Sequence, residues 1–164
     1  MTLVRRLARP ALSAVFVTGG IDTLKNPAAK VPSAQDIAPK IAARLPWLPQ
    51  DTKSLVTINA AMQVGAGLML ATGRLPRLSA ALLAGSLVPT TLAGHRFWEI
   101  DDPQQRTMQR IQFTKNVSML GGLLLAAVDT EGRPGVAWRA QHAAQHVGAT
   151  TRRTASSARD HLPA

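Results

Sequence analysis

Residues 54–73, SLVTINAAMQVGAGLMLATG, decide the fold class of this chain. They form 20 consecutive positions without a charge, between Lys53 and Arg74, which is about the length that an α-helix needs to cross the hydrocarbon layer. Every face of a helix through residues 59–70 carries Ala, Val, Leu, Met or Gly, whereas a surface helix of a soluble protein shows a charged stripe. The stretch therefore predicts a membrane-spanning helix.

Three further apolar stretches accompany this one. Residues 78–94 are uncharged between Arg77 and His95, and residues 10–21 and 116–128 are shorter and need their flanking residues to complete a crossing. A soluble helical bundle is the alternative, but helices without a polar face would leave it too much apolar exterior. We therefore predict an all-α, integral membrane four-helix bundle in residues 1–131, with spans at about 7–24, 54–73, 76–95 and 112–129.

The first stretch has one competing interpretation, a signal peptide, because Arg5, Arg6 and Arg9 precede it. No A-x-A cleavage pattern follows, and the segment continues into residues 19–22, GGID, so we expect an uncleaved first span.

The two long connectors carry local signals. The first contains five prolines between Lys25 and Lys53, so it cannot be one long helix. Within it, Ser33 is expected to cap a short interfacial helix; a loop helix lying over the bundle is the alternative. In the second, Asp102 followed by Pro103 predicts that the last helix begins outside the lipid and continues to residue 128.

Charge and composition restrict the partners. The chain has 19 Lys and Arg against 9 Asp and Glu, a net charge of +10, which favours an anionic surface. It contains no cysteine, which excludes disulfides and thiolate metal sites. Aromatic residues make up only 4%, with no tyrosine, so no nucleic acid is expected as a partner.

Four crossings place both termini on one side of the membrane. Lys and Arg are nearly even between the two sides, but the short basic clusters adjoin the spans on the terminal side, which favours cytoplasmic termini. Residues 132–164 form a basic tail, expected to be partly helical or disordered and to contact anionic lipid head groups. Two histidines in it, His142 and His146, have metal-binding spacing but no further ligand type beside them, so we predict no metal site.

Polar residues converge in one leaflet once the alternating direction of the spans is applied. Odd spans end where even spans begin, so the ends of the first and third spans meet the beginnings of the second and fourth. Three i, i+4 pairs are expected to present polar groups along helix faces there. These pairs are Asn59 with Gln63, His95 with Glu99, and Gln112 with Asn116, and Asp22 and Lys115 lie beside them.

This convergence has two interpretations. In the first, it is a half-membrane pocket suited to a quinone head group, with His95 as a proton carrier and an ion pair among Asp22, Glu99 and Lys115. In the second, the amides and charges only hold the helices together, or lie at the level of the lipid head groups.

Several segments resemble the DoxX family of small bacterial membrane proteins. They are GHRFW at 94–98, Asp102-Pro103, QFTKN at 112–116, GGLL at 121–124, and the opening segment 10–27 with its Gly19-Gly20 and Asn26-Pro27. The resemblance covers about residues 3–135 and looks closest to the actinobacterial branch. It implies a four-helix, multi-pass protein of the bacterial inner (plasma) membrane, associated with quinone-linked sulfur oxidation or redox-stress complexes.

The resemblance adds Trp98 to the candidate site, because it belongs to the GHRFW motif. The full set of site candidates is Asp22, Asn59, Gln63, His95, Trp98, Glu99, Gln112, Lys115 and Asn116. No established catalytic role comes with these residues. Relatives that carry out thiol redox chemistry use cysteine pairs, and this chain has none, so that activity is not transferred.

We therefore expect an integral membrane subunit that anchors or supports a redox or oxidative-stress complex, with a protein partner and a quinone as its candidate ligand. No enzyme activity is assigned. One alternative is an autonomous quinone-linked oxidoreductase, in which His95 and Glu99 carry protons and Lys115 polarises a quinone carbonyl. Another is a small transporter or lipid-handling membrane protein.

Overall fold

A computed structural model describes residues 3–130 and 132, and every regular element in that part of the chain is helical. The chain divides into two units, Met1–Asp129 and Thr130–Ala164. The predicted basic tail, with His142 and His146, lies outside the described residues except for Gly132.

Four long helices build the first unit, and two short helices and two 3-10 turns lie in its connectors. The long helices are α1 (Leu3–Lys25), α4 (Thr52–Thr72), α5 (Pro76–Gly94) and α6 (Pro103–Val128). The short helices are α2 (Val31–Ala34) and α3 (Ala38–Arg44), and the 3-10 turns are Pro27–Lys30 and Phe97–Glu99.

Three segments of the described chain are long and apolar enough to cross a membrane, and they are Thr52–Thr72, Pro76–Glu99 and Pro103–Val128. The fourth long helix, α1, has 23 residues and a length of about 35 Å, but Arg9 and Asp22 make it less apolar. The predicted all-helical membrane fold is confirmed, and a four-helix bundle is consistent with it.

The two connector predictions had different outcomes. The start of the last helix is confirmed, because the Asp102 carboxylate accepts the backbone N–H of Gln105 and Pro103 is the first residue of α6. The expected helix capped by Ser33 was wrong. The hydroxyl of Ser33 instead donates to the carbonyl of Lys30, and the segment divides into α2 and α3 because Pro39 favours a fresh helix start.

A tight turn makes α4 and α5 antiparallel neighbours. Gly73 ends α4 with φ of 72°, a left-handed conformation that costs glycine little. The backbone N–H groups of Gly73 and Arg74 donate to the carbonyls of Leu70 and Met69, which closes the end of the helix. Pro76 then begins α5 at the position where its missing N–H costs least.

The α1–α4 contact depends on two glycines that let the backbones approach. A Cβ on Gly20 would lie 2.7 Å from Val64 Cγ2, and a Cβ on Gly67 would lie 2.7 Å from Val17 Cγ2. Because the two pairs run in opposite order along the chain, α1 and α4 are antiparallel. These two glycines therefore serve close helix packing.

A surface ion pair fixes the first connector to the end of the bundle. The Arg96 guanidinium lies 2.6 Å from the Asp36 carboxylate and also pairs with Glu99 at 3.2 Å. The hydrogen bond and charge of Arg96 hold the pKa of the Asp36 carboxyl below its ordinary value of 3.8. The α2–α3 segment is therefore fixed to the junction between α5 and α6.

We expect Gly20→Ala to lower the free energy of unfolding by about 1–3 kcal/mol, because the new methyl group overlaps Val64 and the Ala60 carbonyl. The measurement is equilibrium unfolding in mixed micelles with a denaturing detergent. The matched control is Gly19→Ala, because a Cβ on Gly19 meets nothing within 4 Å and alanine favours the helix. Equal losses in both variants would contradict the packing analysis.

The Asp36–Arg96 pair predicts a pH dependence of stability. Since the folded pKa of Asp36 is lowered, the pair contributes fully above pH 3.8 and its contribution is lost as the pH falls through the folded value. We expect Asp36→Asn to lower the unfolding temperature at neutral pH, and its curve to join that of the wild type in acid. Asp101→Asn, at an exposed carboxylate, is the control. A gap that stayed constant down to the lowest pH would be the contrary result.

Candidate functional site

The contact between α1 and α6 is the weakest among neighbouring long helices of the bundle. α1 packs mainly on α4, and α5 packs on both α4 and α6, but α1 and α6 touch only sparsely. They meet at the end that carries the termini, where Arg5 donates to both carboxylate oxygens of Asp129 at 2.7 and 3.0 Å. Nearby, Leu12 lies 3.4 Å from a Cβ placed on Gly122. We call the line along which α1 and α6 face each other the α1/α6 seam. It is closed at this end because the two helices are in contact there.

Towards the other end the seam opens into a groove. Its volume is about 560 Å³, and it is lined by Val15, His95, Gln112, Lys115, Asn116, Ser118 and Met119. Gln112, Lys115, Asn116 and Met119 recur every three or four residues, so one face of α6 supplies most of the wall. Four of the predicted site residues therefore line one open groove, in which Gln112 and Lys115 are exposed.

Of the groove's five polar side chains, three are held by neighbours and two are not. One of the three is Ser118, whose hydroxyl donates to the Thr114 carbonyl at 3.1 Å. His95 Nδ1 lies 2.7 Å from Gln109 Oε1, and the Asn116 amide donates to Thr91 Oγ1 at 2.9 Å. Within the part of the chain that the structure describes, the Gln112 amide and the Lys115 amino group have no hydrogen-bond or ion-pair partner. Imidazole Nε2, an amide and an amino group are thus available to a ligand.

A second polar cluster connects α4 to α5 around the buried Ser86. Gln63 Nε2 donates to Ser86 Oγ at 2.7 Å, and Ser86 Oγ donates to Asn59 Oδ1 at 2.9 Å. The Asn59 amide reaches Thr90 Oγ1 at 3.5 Å, and Thr90 Oγ1 donates to the Ser86 carbonyl. Asn59 and Gln63 therefore share one helix face, as predicted, but they serve the α4–α5 contact and do not line the groove.

The three remaining candidates lie away from the groove. Asp22 is largely exposed and pairs with Lys25 at 3.7 Å. Glu99 pairs with Arg96, so the predicted ion pair among Asp22, Glu99 and Lys115 does not form in this structure. The Trp98 ring packs edge-on against Phe97 of its own turn, at a centroid distance of 5.1 Å, and against Phe113 of α6, at 5.8 Å.

The expected His95–Glu99 helix pair was wrong. α5 ends at Gly94, and His95 follows it in a non-helical conformation with φ of −135°. Glu99 belongs to the separate Phe97–Glu99 turn. The break turns the imidazole of His95 toward α6, where it reaches Gln109.

The sequence profile of the DoxX family matches residues 5–96, which include α1, α4 and α5. The chain belongs to the DoxX family. Comparison with curated proteins and with solved structures gives no significant match. Because the match ends at Arg96, the α6 wall of the groove lies beyond the matched range of this DoxX protein.

Four partners of the predicted site residues were missed from the sequence. They are Ser86, Thr90, Thr91 and Gln109. Ser86, Thr90 and Thr91 lie in the otherwise apolar stretch 78–94. One sequence feature could have indicated Ser86 and Thr90. They are four residues apart, on either side of Pro89, so they lie on one face of the helix.

In the described residues of this DoxX protein, no group of three or more His, Asp or Glu side chains is close enough to hold a metal ion. The groove itself offers the Gln112 amide and the Lys115 amino group as hydrogen-bond donors, while the Nδ1 of His95 is bonded to Gln109 Oε1. Neutral or anionic oxygen acceptors are the ligand groups that such a lining recognises.

We expect Ser86→Ala to lower the free energy of unfolding in this DoxX protein by about 1–2 kcal/mol, because it removes the hydrogen-bond partner of the half-buried Gln63 Nε2 and of Asn59 Oδ1. Equilibrium unfolding in detergent measures it. Thr72→Ala is the control, since the Thr72 hydroxyl bonds only to carbonyls of its own helix. If both substitutions had the same effect, the cluster would not hold α4 against α5.

Proposed function

We propose that this DoxX-family protein is a membrane subunit that supports a redox complex and binds a quinone head group in the groove. The observation that carries the proposal is the set of polar side chains along one side of the groove. His95, Gln112 and Lys115 line the same groove. The two carbonyl oxygens of a quinone are hydrogen-bond acceptors, which the Gln112 amide and the Lys115 amino group can bind, and His95 Nε2 is available to accept a proton because Nδ1 bonds to Gln109 Oε1.

Each groove residue has a defined role in this proposal. The Lys115 amino group and the Gln112 amide donate to the quinone oxygens. His95 exchanges a proton through Nε2, while Gln109 holds its Nδ1 and so fixes the ring. Asn116, held by Thr91, shapes the wall between them. The chain has no cysteine, so its own residues supply no thiol couple, and a protein partner provides the electrons.

We place the protein in the bacterial inner membrane with cytoplasmic termini, because short basic clusters adjoin the terminal ends of the spans. In this orientation the basic tail meets the anionic cytoplasmic leaflet. The groove then opens in the opposite leaflet. A through-membrane transport path is less well supported, because Leu12 and Gly122 close the seam below the groove.

We expect the protein purified from native membranes in mild detergent to carry a quinone, quantified by extraction and mass spectrometry. Lys115→Ala is expected to weaken binding of an added quinone by about tenfold, since a bond from a charged donor is lost. Lys115→Arg should retain most of the affinity.

The control for this experiment is Lys25→Ala, which removes an exposed amino group outside the groove. Copurifying proteins are identified in the same preparation. A stable protein partner with no quinone, and no quinone binding on addition, would reject the pocket and leave an anchoring subunit.

A further inference from the structure

The groove has a polar end and an apolar end. His95 follows the last residue of α5, at the end of the bundle opposite the termini, and Gln112 lines the groove beside it. Met119 lies seven residues further along α6 than Gln112, about 10 Å closer to the terminal end, and Val15 lies near the middle of α1. Ser118, next to Met119, bonds through its hydroxyl to the Thr114 carbonyl of its own helix. The lining therefore changes from polar side chains with free hydrogen-bonding groups at one end to Val15 and Met119 nearer the termini.

The apolar end continues into the α1/α6 seam. The apolar end of the groove is open at the side, because α1 and α6 contact each other sparsely and the contact of Leu12 with Gly122 lies on the side toward the termini. At the far end of the seam the Arg5–Asp129 pair joins the same two helices, and Arg9 lies 3.8 Å from Asp129. The two helices are therefore joined at the terminal end, and the groove lies between them further along.

We infer that the groove receives its ligand sideways from the bilayer, as an amphiphile whose apolar chain lies in the α1/α6 seam over Val15 and Met119. The inference rests on the proposed function for the identity of the head group. It adds that the ligand has an apolar chain as well as a head group. Donors at the surface end and aliphatic side chains at the deep end match an amphiphile in its normal membrane orientation.

Charge favours this occupant over a second copy of the chain. No residue that lines the groove is acidic, and Lys115 has no ion-pair partner among the described residues, so the polar end suits an electron-rich head group. An isologous contact between two copies would bring two Lys115 amino groups toward each other, which like-charge repulsion opposes.

The test uses photoreactive probes on the full chain in lipid nanodiscs. One probe is a benzoquinone with a decyl chain that ends in a diazirine, and the other is a fatty acid with the same diazirine. Mass spectrometry maps the labelled residues after irradiation. We expect label on Val15, Met119 and their neighbours in the seam, in at least fivefold excess over Leu124 and Leu125 on the outer face of α6.

Two variants fill the seam and one serves as the control. Met119→Trp or Val15→Trp places a large ring where the chain should lie, so seam labelling should fall at least fivefold. Leu125→Trp makes the same type of change at an exposed position of α6 and should leave seam labelling unchanged. Two filling variants on different helices keep the test valid if one of them folds poorly.

The outcomes separate this inference from the proposed function. Labelling of the α1/α6 seam by both probes supports both the lateral site and the proposed quinone head group. Seam labelling by the fatty acid but not by the quinone supports the lateral site and rejects the quinone head group. Label spread evenly over the outer face of α6 overturns the lateral site, as does a covalent link between two copies at Met119.

Discussion

The cost of an unpaired polar group in hydrocarbon governs how these helices are arranged. In the described part of the chain, no buried side-chain nitrogen or oxygen lacks a hydrogen-bond partner. α5 meets much of this requirement, because Ser86 and Thr90 bond to α4 while Thr91 bonds to α6. The central position of α5 thus follows from the polar groups it carries on two faces, since its apolar residues alone would be as well solvated by lipid.

The distribution of contacts between the helices also determines where the groove lies. α1 is joined to α4 by close backbone approach at Gly20 and Gly67, which needs no polar partner. Between α1 and α6 the described ion pairs lie only at the terminal end, at Asp129. Away from that end no ion pair among the described residues joins the two helices, and the groove lies between them. The groove is the consequence of this uneven distribution of contacts around the bundle.

The sequence predicted the helices better than their partners. Uncharged length identified α4 and α5, and the Asp102-Pro103 signal identified the start of α6, because both are local properties. The His95–Glu99 pair failed because a helix end after Gly94 depends on how the aromatic residues of the following turn pack on α6. Which hydroxyls meet Asn59 or Asn116 depends on helix rotation, which an almost uniformly apolar span does not encode.

Stability and binding make opposite demands on α6. Only Leu123 is fully buried in this helix, so α6 gains little from packing in the bundle and presents most of its surface to its surroundings. A more complementary α1–α6 contact would bury Gln112 and Lys115, which have no partners there. Burying them would cost free energy unless they were replaced by apolar residues. The open seam is therefore maintained by the same polar residues that give the groove its chemistry.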